Sequence, residues 1–374
     1  MKKADLIRTG FGVFLLGLLG QAQAGISVDF KPYGYIKADM SWDQQTTNDG
    51  NYVMYVKPFT GSKSEQFNMT AKETRLGFWI ENKDHSDFTV KGRVEVDGYG
   101  SESTENKGHL MLRHIYVEVA CPLGTLLAGQ TSDVISPLVA TTLNYSVGWG
   151  IGNIGYRRPQ LRLATTLAKS LSIDLAAVRP IGDDLSVQIS TVTDSIDDGK
   201  ASGSPHYQGR LGFSGSFLKI GVSGHYGRLK ARNSTNTAHE NYETKSINGD
   251  IQIPFKKLLV KGEYFKGENL KTYLGSILNN DTIAGVRSHG GWVDATYALT
   301  SSFKVVAGMG KERVNENDIA ANARDANRFA FGNFQFTARH GVMYGVEVSQ
   351  YKTDYKDAPD ALSNRVQASC KYSF

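Results

Sequence analysis

Cysteine is nearly absent: Cys121 and Cys370 are the only two in 374 residues. That excludes the disulfide framework of a small secreted domain. Neither cysteine has a histidine at zinc-ligand spacing, and both are expected to stay unpaired. Proline is scarce at 9 residues, and beyond residue 24 no apolar run reaches the ~20 residues that a membrane-spanning helix needs. A mean hydropathy of -0.33 and a charged fraction of 21% also argue against a helical membrane protein. Excess charge of one sign is lacking too, since the formal net charge is only +5. A nucleic-acid binder is usually far more basic, so no nucleic-acid partner is expected.

Catalytic signatures are missing as well. The 8 histidines form no HExxH, and no GxSxG nucleophile elbow occurs. Gly150, Gly152 and Gly155 fit the dinucleotide-binding spacing, but Arg157, Arg158 and Pro159 follow where an apolar helix should start, which makes the match a coincidence. No enzymatic activity, cofactor or metal is expected.

What the chain does have is 40 glycines, 18 tyrosines and 17 phenylalanines, a mix that suits strands joined by turns. Its start reads as an export signal. Lys2, Lys3 and Arg8 precede an apolar run over 10–20, and Ala22-Gln23-Ala24 supplies a small-residue cleavage site. Residues 1–24 are therefore expected to be removed, which lowers the formal charge from +5 to +3 because Lys2, Lys3, Asp5 and Arg8 go with them. The remaining chain, 25–374, is expected to form one domain, either soluble outside the cytoplasm or a β-barrel in an outer membrane.

The strand pattern decides between these. Ile36, Ala38, Met40 and Trp42 alternate with Tyr35, Lys37, Asp39 and Ser41; Val90, Val94 and Val96 alternate with Lys91, Arg93, Glu95 and Asp97. A wall with lipid on one side and water on the other requires this period of two. One such strand would also suit a soluble sandwich. Connection lengths discriminate better, because barrels of this kind have short turns at the periplasmic end and long loops outside. Seven short links fall near 82–87, 120–125, 167–171, 214–217, 253–258, 299–302 and 337–341. Eight polar stretches fall between them, near 43–66, 100–109, 133–155, 180–205, 228–241, 267–287, 314–326 and 353–363. Fifteen connections imply sixteen strands.

The last strand is the clearest. Val366, Ala368, Cys370, Tyr372 and Phe374 face one way and Arg365, Gln367, Ser369, Lys371 and Ser373 the other. An apolar face ending on phenylalanine has no use in a soluble protein. In hydrocarbon every strand edge must be paired, so the sheet is expected to close. The expected fold class is all-β, a transmembrane antiparallel barrel in the cell outer membrane. Sixteen strands enclose more space than their own side chains fill. The segment 133–156 carries one acid, Asp133, and many apolar residues and glycines. It is expected to fold inward as a constriction loop.

Several motifs resemble the DcaP-like outer-membrane porins of Gram-negative bacteria: Tyr33-Gly34-Tyr35-Ile36-Lys37-Ala38-Asp39, Thr74-Arg75-Leu76-Gly77-Phe78, Leu112-Arg113-His114-Ile115-Tyr116-Val117-Glu118, Leu127-Ala128-Gly129-Gln130-Thr131 and Arg158-Pro159-Gln160-Leu161-Arg162. The resemblance implies a homotrimeric porin passing small anionic solutes such as dicarboxylates.

Counting charges on the polar faces gives no selectivity by itself. Eleven bases (Lys37, Arg75, Lys91, Arg93, Arg162, Arg210, Lys219, Lys261, Lys304, Arg365 and Lys371) meet twelve acids (Asp39, Glu73, Glu81, Glu95, Asp97, Glu118, Asp174, Asp250, Glu263, Asp294, Glu312 and Glu347). Selectivity must then come from the narrowest point, where low-dielectric walls focus the field. Arg157, Arg158 and Arg162 follow the inward segment directly and are candidate anion-binding groups, with Arg75 and Arg93 next. Lys37, Asp39, Lys91, Glu95 and Asp97 are further lumen-lining candidates. A balanced lumen with little preference, and a non-conducting structural or adhesin barrel, are the alternatives. Strict alternation from Ile115 and Val117 would put Arg113 on the lipid face at a cost of roughly 2 to 4 kcal/mol at midplane, unless a bulge intervenes. His114 with Glu118 lies on a strand and is expected to line the lumen.

Overall fold

The computed structural model describes residues 28–48, 50–58, 61, 64–82, 89–100, 108–181, 202–232 and 239–374. The expected export signal at 1–24 lies outside these residues. Seventeen β-segments follow in chain order: β1 (Val28–Asp43), β2 (Gln66–Thr70), β3 (Arg75–Asn82), β4 (Thr89–Asp97), β5 (Met111–Cys121), β6 (Gly124–Ser132), β7 (Arg157–Ala168), β8 (Leu171–Val178), β9 (His206–Ser214), β10 (Lys219–Arg232), β11 (His239–Phe255), β12 (Leu258–Glu268), β13 (Arg287–Ala298), β14 (Phe303–Val314), β15 (Arg324–Thr337), β16 (Val342–Tyr355) and β17 (Ala358–Ser373). Every neighbouring pair is antiparallel, and β17 returns to pair with β1. Because β2 and β3 share one position beside β1, the seventeen segments build sixteen staves of a closed barrel.

The break between β2 and β3 is a local insertion. Residues 36–38 of β1 face the four residues 71–74, and the Lys37 amide donates to Thr74 Oγ1 at 3.1 Å across the gap. This turns Glu73 inward beside Lys37. The seam closes on the last residue: the Gly34 amide donates to the Phe374 carbonyl, and the Phe374 amide to the Gly34 carbonyl, both at 3.1 Å.

Alternation of burial along the staves follows the sequence pattern. Lys37, Asp39, Ser41 and Asp43 are buried inside, whereas Ile36, Met40 and Trp42 are exposed outside. Inverted relative to a soluble protein, this places apolar side chains where only lipid can cover them. Both cysteines are unpaired, and Cys370 sits on the outward face of β17.

The connections alternate short and long from 83–88 onward, with two exceptions. The first is the stretch 228–241, read above as a long loop, where β10 and β11 run on to leave only the six residues 233–238 between them. The second is the stretch 353–363, also read above as a long loop, which is a two-residue turn at 356–357 in which Asp357 takes φ +57°. Above the membrane both faces of a hairpin are wet, so polar residues on both faces are compatible with strand. Lys352 there pairs with Asp354 at 3.1 Å and Asp360 at 2.6 Å.

Arg113 corrects the strict-alternation reading. Glu95 pairs with His114 and Val96 with Leu112, so Arg113 is an extra residue in a β-bulge. Arg113 and His114 therefore both turn inward and are buried, and Arg113 pairs with Glu95 and Asp97.

Candidate functional site: the lumen and its inserted segments

The segment 133–156 leaves β6 and returns into β7 after crossing the lumen. Its base is clamped: the Asp133 amide donates to the Tyr156 carbonyl and the Tyr156 amide to Asp133 Oδ2, each at 2.8 Å. Gln208 and Arg158 also hold the Asp133 carboxylate, at 2.7 and 3.0 Å. From there the backbone is handed from one lumenal carboxylate to the next. Leu138 donates to Glu263, Thr141 to Asp294 and Leu143 to Glu347, each at 2.7 Å. On the way back Gly152 donates to Glu312 at 3.3 Å. Each of these bonds satisfies a buried carboxyl and an inserted amide together, at about 0.5 to 1.5 kcal/mol net. At Gly152 the backbone has φ +110°, and a Cβ would lie 2.3 Å from the Gly291 carbonyl oxygen, so glycine is required.

The tip reaches the opposite wall. Lys37 Nζ donates to the Leu143 carbonyl at 2.7 Å, and the Tyr145 hydroxyl donates to Asp97 at 2.9 Å. Burial pushes the Tyr145 hydroxyl up to about 12, so it stays protonated as a donor.

Two further segments lie inside, and the sequence reading did not anticipate them. In 269–286, Leu270, Tyr273 and Ile277 are fully buried, and the Leu274 carbonyl accepts from Gly150 at 2.9 Å. In 44–58, Val53 and Val56 are fully buried, and the Asn51 carbonyl accepts from Tyr145 at 3.0 Å. The signal was present as short apolar runs, 52–56 and 273–278, within stretches that otherwise read as water-exposed loops.

The candidate residues separate into two groups. Arg158 is fully buried behind the inserted segment, lies 3.8 Å from the Tyr273 ring centre and donates to the Thr272 carbonyl at 2.8 Å. Arg157 is buried against Tyr156 and Met111. Lys37 and Asp39 are buried too, Asp39 held by Asn51 and Gln367 at 3.0 Å each. Arg162 stays partly accessible and donates to Gln160 at 2.8 Å, while Lys91 exposes 41% of its side chain beside Glu81.

Arg75 and Arg93 meet at one carboxylate. Glu95 lies 3.6 Å from Arg75, 2.8 Å from Arg93 and 2.8 Å from Arg113, so three guanidinium groups surround one buried acid. Aromatic faces hold the two outer arginines in place. Arg75 stands over Tyr35, and Arg93 stands over Tyr33 and Trp79. Asp97 is buried under Arg113. His114 is buried with Nδ1 2.9 Å from Thr131 Oγ1. Among the described residues no cluster of ligating side chains could hold a metal ion.

A closed sheet of sixteen staves, greasy outside and charged inside, is a transmembrane β-barrel of the outer-membrane type. Solved structures similar to it include an outer-membrane channel and a porin. The outer-membrane channel DcaP of Acinetobacter baumannii matches with a TM-score of 0.77 at 20% identity, covering 95% of this chain and 99% of that one. The OmpF of Salmonella typhi, solved with daunomycin, gives 0.65 at 11% identity over 92% of this chain and 97% of that one. An anion-selective porin from Comamonas acidovorans gives 0.62 at 10% identity, covering 93% of this chain and 100% of that one. No family model matches the chain, and no curated protein matches it in sequence.

Proposed function

We propose that this protein is an outer-membrane porin through which small hydrophilic solutes diffuse passively, with anionic, dicarboxylate-like molecules preferred. It acts without catalysis or a cofactor. One observation carries the preference. Of the twelve acids assigned to the lumen, eight are buried (Asp39, Glu95, Asp97, Asp250, Glu263, Asp294, Glu312 and Glu347), whereas of the eleven bases only Lys37 and Arg365 are. Four acids and nine bases remain at least partly accessible. Much of the acidic charge is engaged in holding the inserted segment, and what faces the water is basic.

The residues proposed to meet the solute are Arg75, Arg93, Arg162 and Lys91. Arg75 and Arg93 each expose 23% of the side chain, and the three arginines set against Glu95 and Asp97 leave a local excess of one positive charge. Low-dielectric walls strengthen that field, and a guanidinium binds a carboxylate through two parallel bonds. Arg157 and Arg158 support the path indirectly, by anchoring the segment that narrows it. The neighbour described as anion-selective supports the same direction. Assembly as a homotrimer, with lipid around the rest of the wall, belongs to the same proposal.

Reversal potential in a salt gradient across a planar bilayer tests it. The expected sign is that of anion flux, and liposomes should swell faster with succinate than with lysine. A cation-preferring pore removes the anion reading, and a barrel without stepwise conductance removes the porin reading.

A further inference from the structure

The outer wall carries a charge pattern that the pore does not use. On a barrel stave alternate residues face outward, and near the long-loop end of β12–β16 cations outnumber the acids Glu268 and Asp354 among them. Lys266, Lys311 and Arg313 are exposed and have no ion-pair partner among the described residues. Arg328 exposes 45% of its side chain beside Asp354. The register places Lys311 opposite Arg328 and Arg328 opposite Lys352. Three cations thus face one another across adjacent staves, with Cβ atoms about 5 Å apart. A second row sets Lys266 opposite His289 and His289 opposite Arg313. Arg313 lies roughly 7 Å from Lys311 along β14.

Like charges directly opposed on a sheet weaken it. Asp354 and Asp360 offset Arg328 and Lys352, and Glu268 stands two residues from Lys266 on the same face, but among the described residues no acid pairs with Lys311 or Arg313. The position of the patch points to what does. One step down the same staves the outward residues are Tyr264, Gly291, Met309, Ala330 and Gln350, and Val293 follows on β13, so the apolar belt begins beneath β12–β15. The patch therefore stands at the headgroup level of the leaflet on the long-loop side. It is also one-sided, because Trp42, Phe67, Met69, Leu112 and Tyr207 occupy outward positions near that end of β1, β2, β5 and β9, while adjoining β10 and β11 add Arg228 and Lys245 beside Glu243.

We infer that the outer wall of β12–β16 binds the phosphorylated headgroup of an outer-leaflet lipid, with Lys266, Lys311, Arg313 and Arg328 around its phosphates. A guanidinium matches phosphate geometry in two parallel bonds, and each ammonium adds a point charge. The inference needs only the membrane placement of the barrel and stands apart from the ion preference of the pore.

The test uses the full chain folded in detergent and the variant carrying Lys266→Glu, Lys311→Glu and Arg313→Glu, all outside the lumen. Native mass spectrometry follows titration with bisphosphorylated lipid A, with its dephosphorylated counterpart, and with inorganic phosphate. Wild type should bind the bisphosphorylated lipid, and the variant should bind it at least about 100-fold more weakly, the loss expected for three surface cations. Single-channel conductance should match wild type and show that the variant is folded. If it does not fold, Lys311→Gln with Arg313→Gln gives the same comparison at a loss of about tenfold or more. Equal affinity in wild type and folded variant overturns the inference. So does equal binding of the dephosphorylated lipid, and so does inorganic phosphate binding as tightly as the lipid, which would mark a free-anion site.

Discussion

Arg113 Nε donates to Glu95 Oε1 at 2.8 Å from a position that strict strand alternation gives to the lipid. The bulge that turns it inward also delivers it to Asp97, which is fully buried. Breaking such a buried pair from one side leaves an uncompensated charge and costs about 3 to 5 kcal/mol. Arg113→Ala should therefore lower the urea midpoint of the folded barrel, read as loss of the heat-modifiable band on gels. Glu95→Gln should cost a similar amount, because it leaves Arg75, Arg93 and buried Arg113 around an uncharged amide with only Asp97 still paired to Arg113. An Arg113→Ala barrel as stable as wild type would mean that the bulge, and not the ion pair, holds this corner.

The proposed anion preference depends on Arg75 and Arg93 remaining in excess over Glu95. Reversing both, as Arg75→Glu with Arg93→Glu, changes the charge near Glu95 by four units and should move the reversal potential toward cations. Arg158→Gln should have a different consequence. Arg158 is fully buried against Asp133 and Tyr273, so its loss should loosen the base of the inserted segment and make the open channel noisier. A selectivity change from Arg158→Gln as large as that from the double reversal would place the solute path elsewhere.

Most of the barrel was legible because lipid and water impose a period of two that each stave must obey. The closing strand with Phe374 and the seven short turns follow from that constraint. Where the constraint lapses, the reading lapsed with it. The hairpin at 356–357 stands in water on both faces, so its polar residues looked like loop. Arg113 obeys a bulge that only the partner strand reveals. The lumenal charges counted as a draw because sequence gives the sign of a side chain and not its burial: Glu263, Glu312 and Glu347 are acidic in composition yet buried against inserted backbone.

Those same acids make the inserted segment separable from the barrel. Glu347 accepts from the Leu143 amide at 2.7 Å and from Asn333 at 3.0 Å. Glu347→Ala orphans the buried amide, a loss of roughly 1 to 3 kcal/mol. That is enough to raise the population of released segment but small against a whole barrel. The expected result is an unchanged heat-modifiable band with more frequent conductance transitions, and faster cleavage within 133–156 by added protease. Unaltered traces and unaltered cleavage would show that the remaining contacts hold the segment without this carboxylate.

The seam gives the last prediction. Phe374 closes the barrel through two backbone bonds to Gly34, each 3.1 Å long, and its ring lies 6.5 Å from that of Tyr372. Deleting Phe374 leaves the Gly34 amide and carbonyl unpaired at an edge where lipid offers no replacement partner. Each orphaned group costs about 1 to 3 kcal/mol, and the penalty falls on closure, the step that makes the sheet compatible with hydrocarbon. The truncated chain should therefore assemble into membranes in lower yield, while the barrels that do form keep wild-type conductance, because Phe374 is exposed on the outer face of the wall and Arg75 and Arg93 stand on the lumenal one. Phe374→Leu retains both backbone bonds and should recover most of the yield. Equal yields for the deletion and the full chain would show that closure is secured elsewhere along the pairing of β1 with β17.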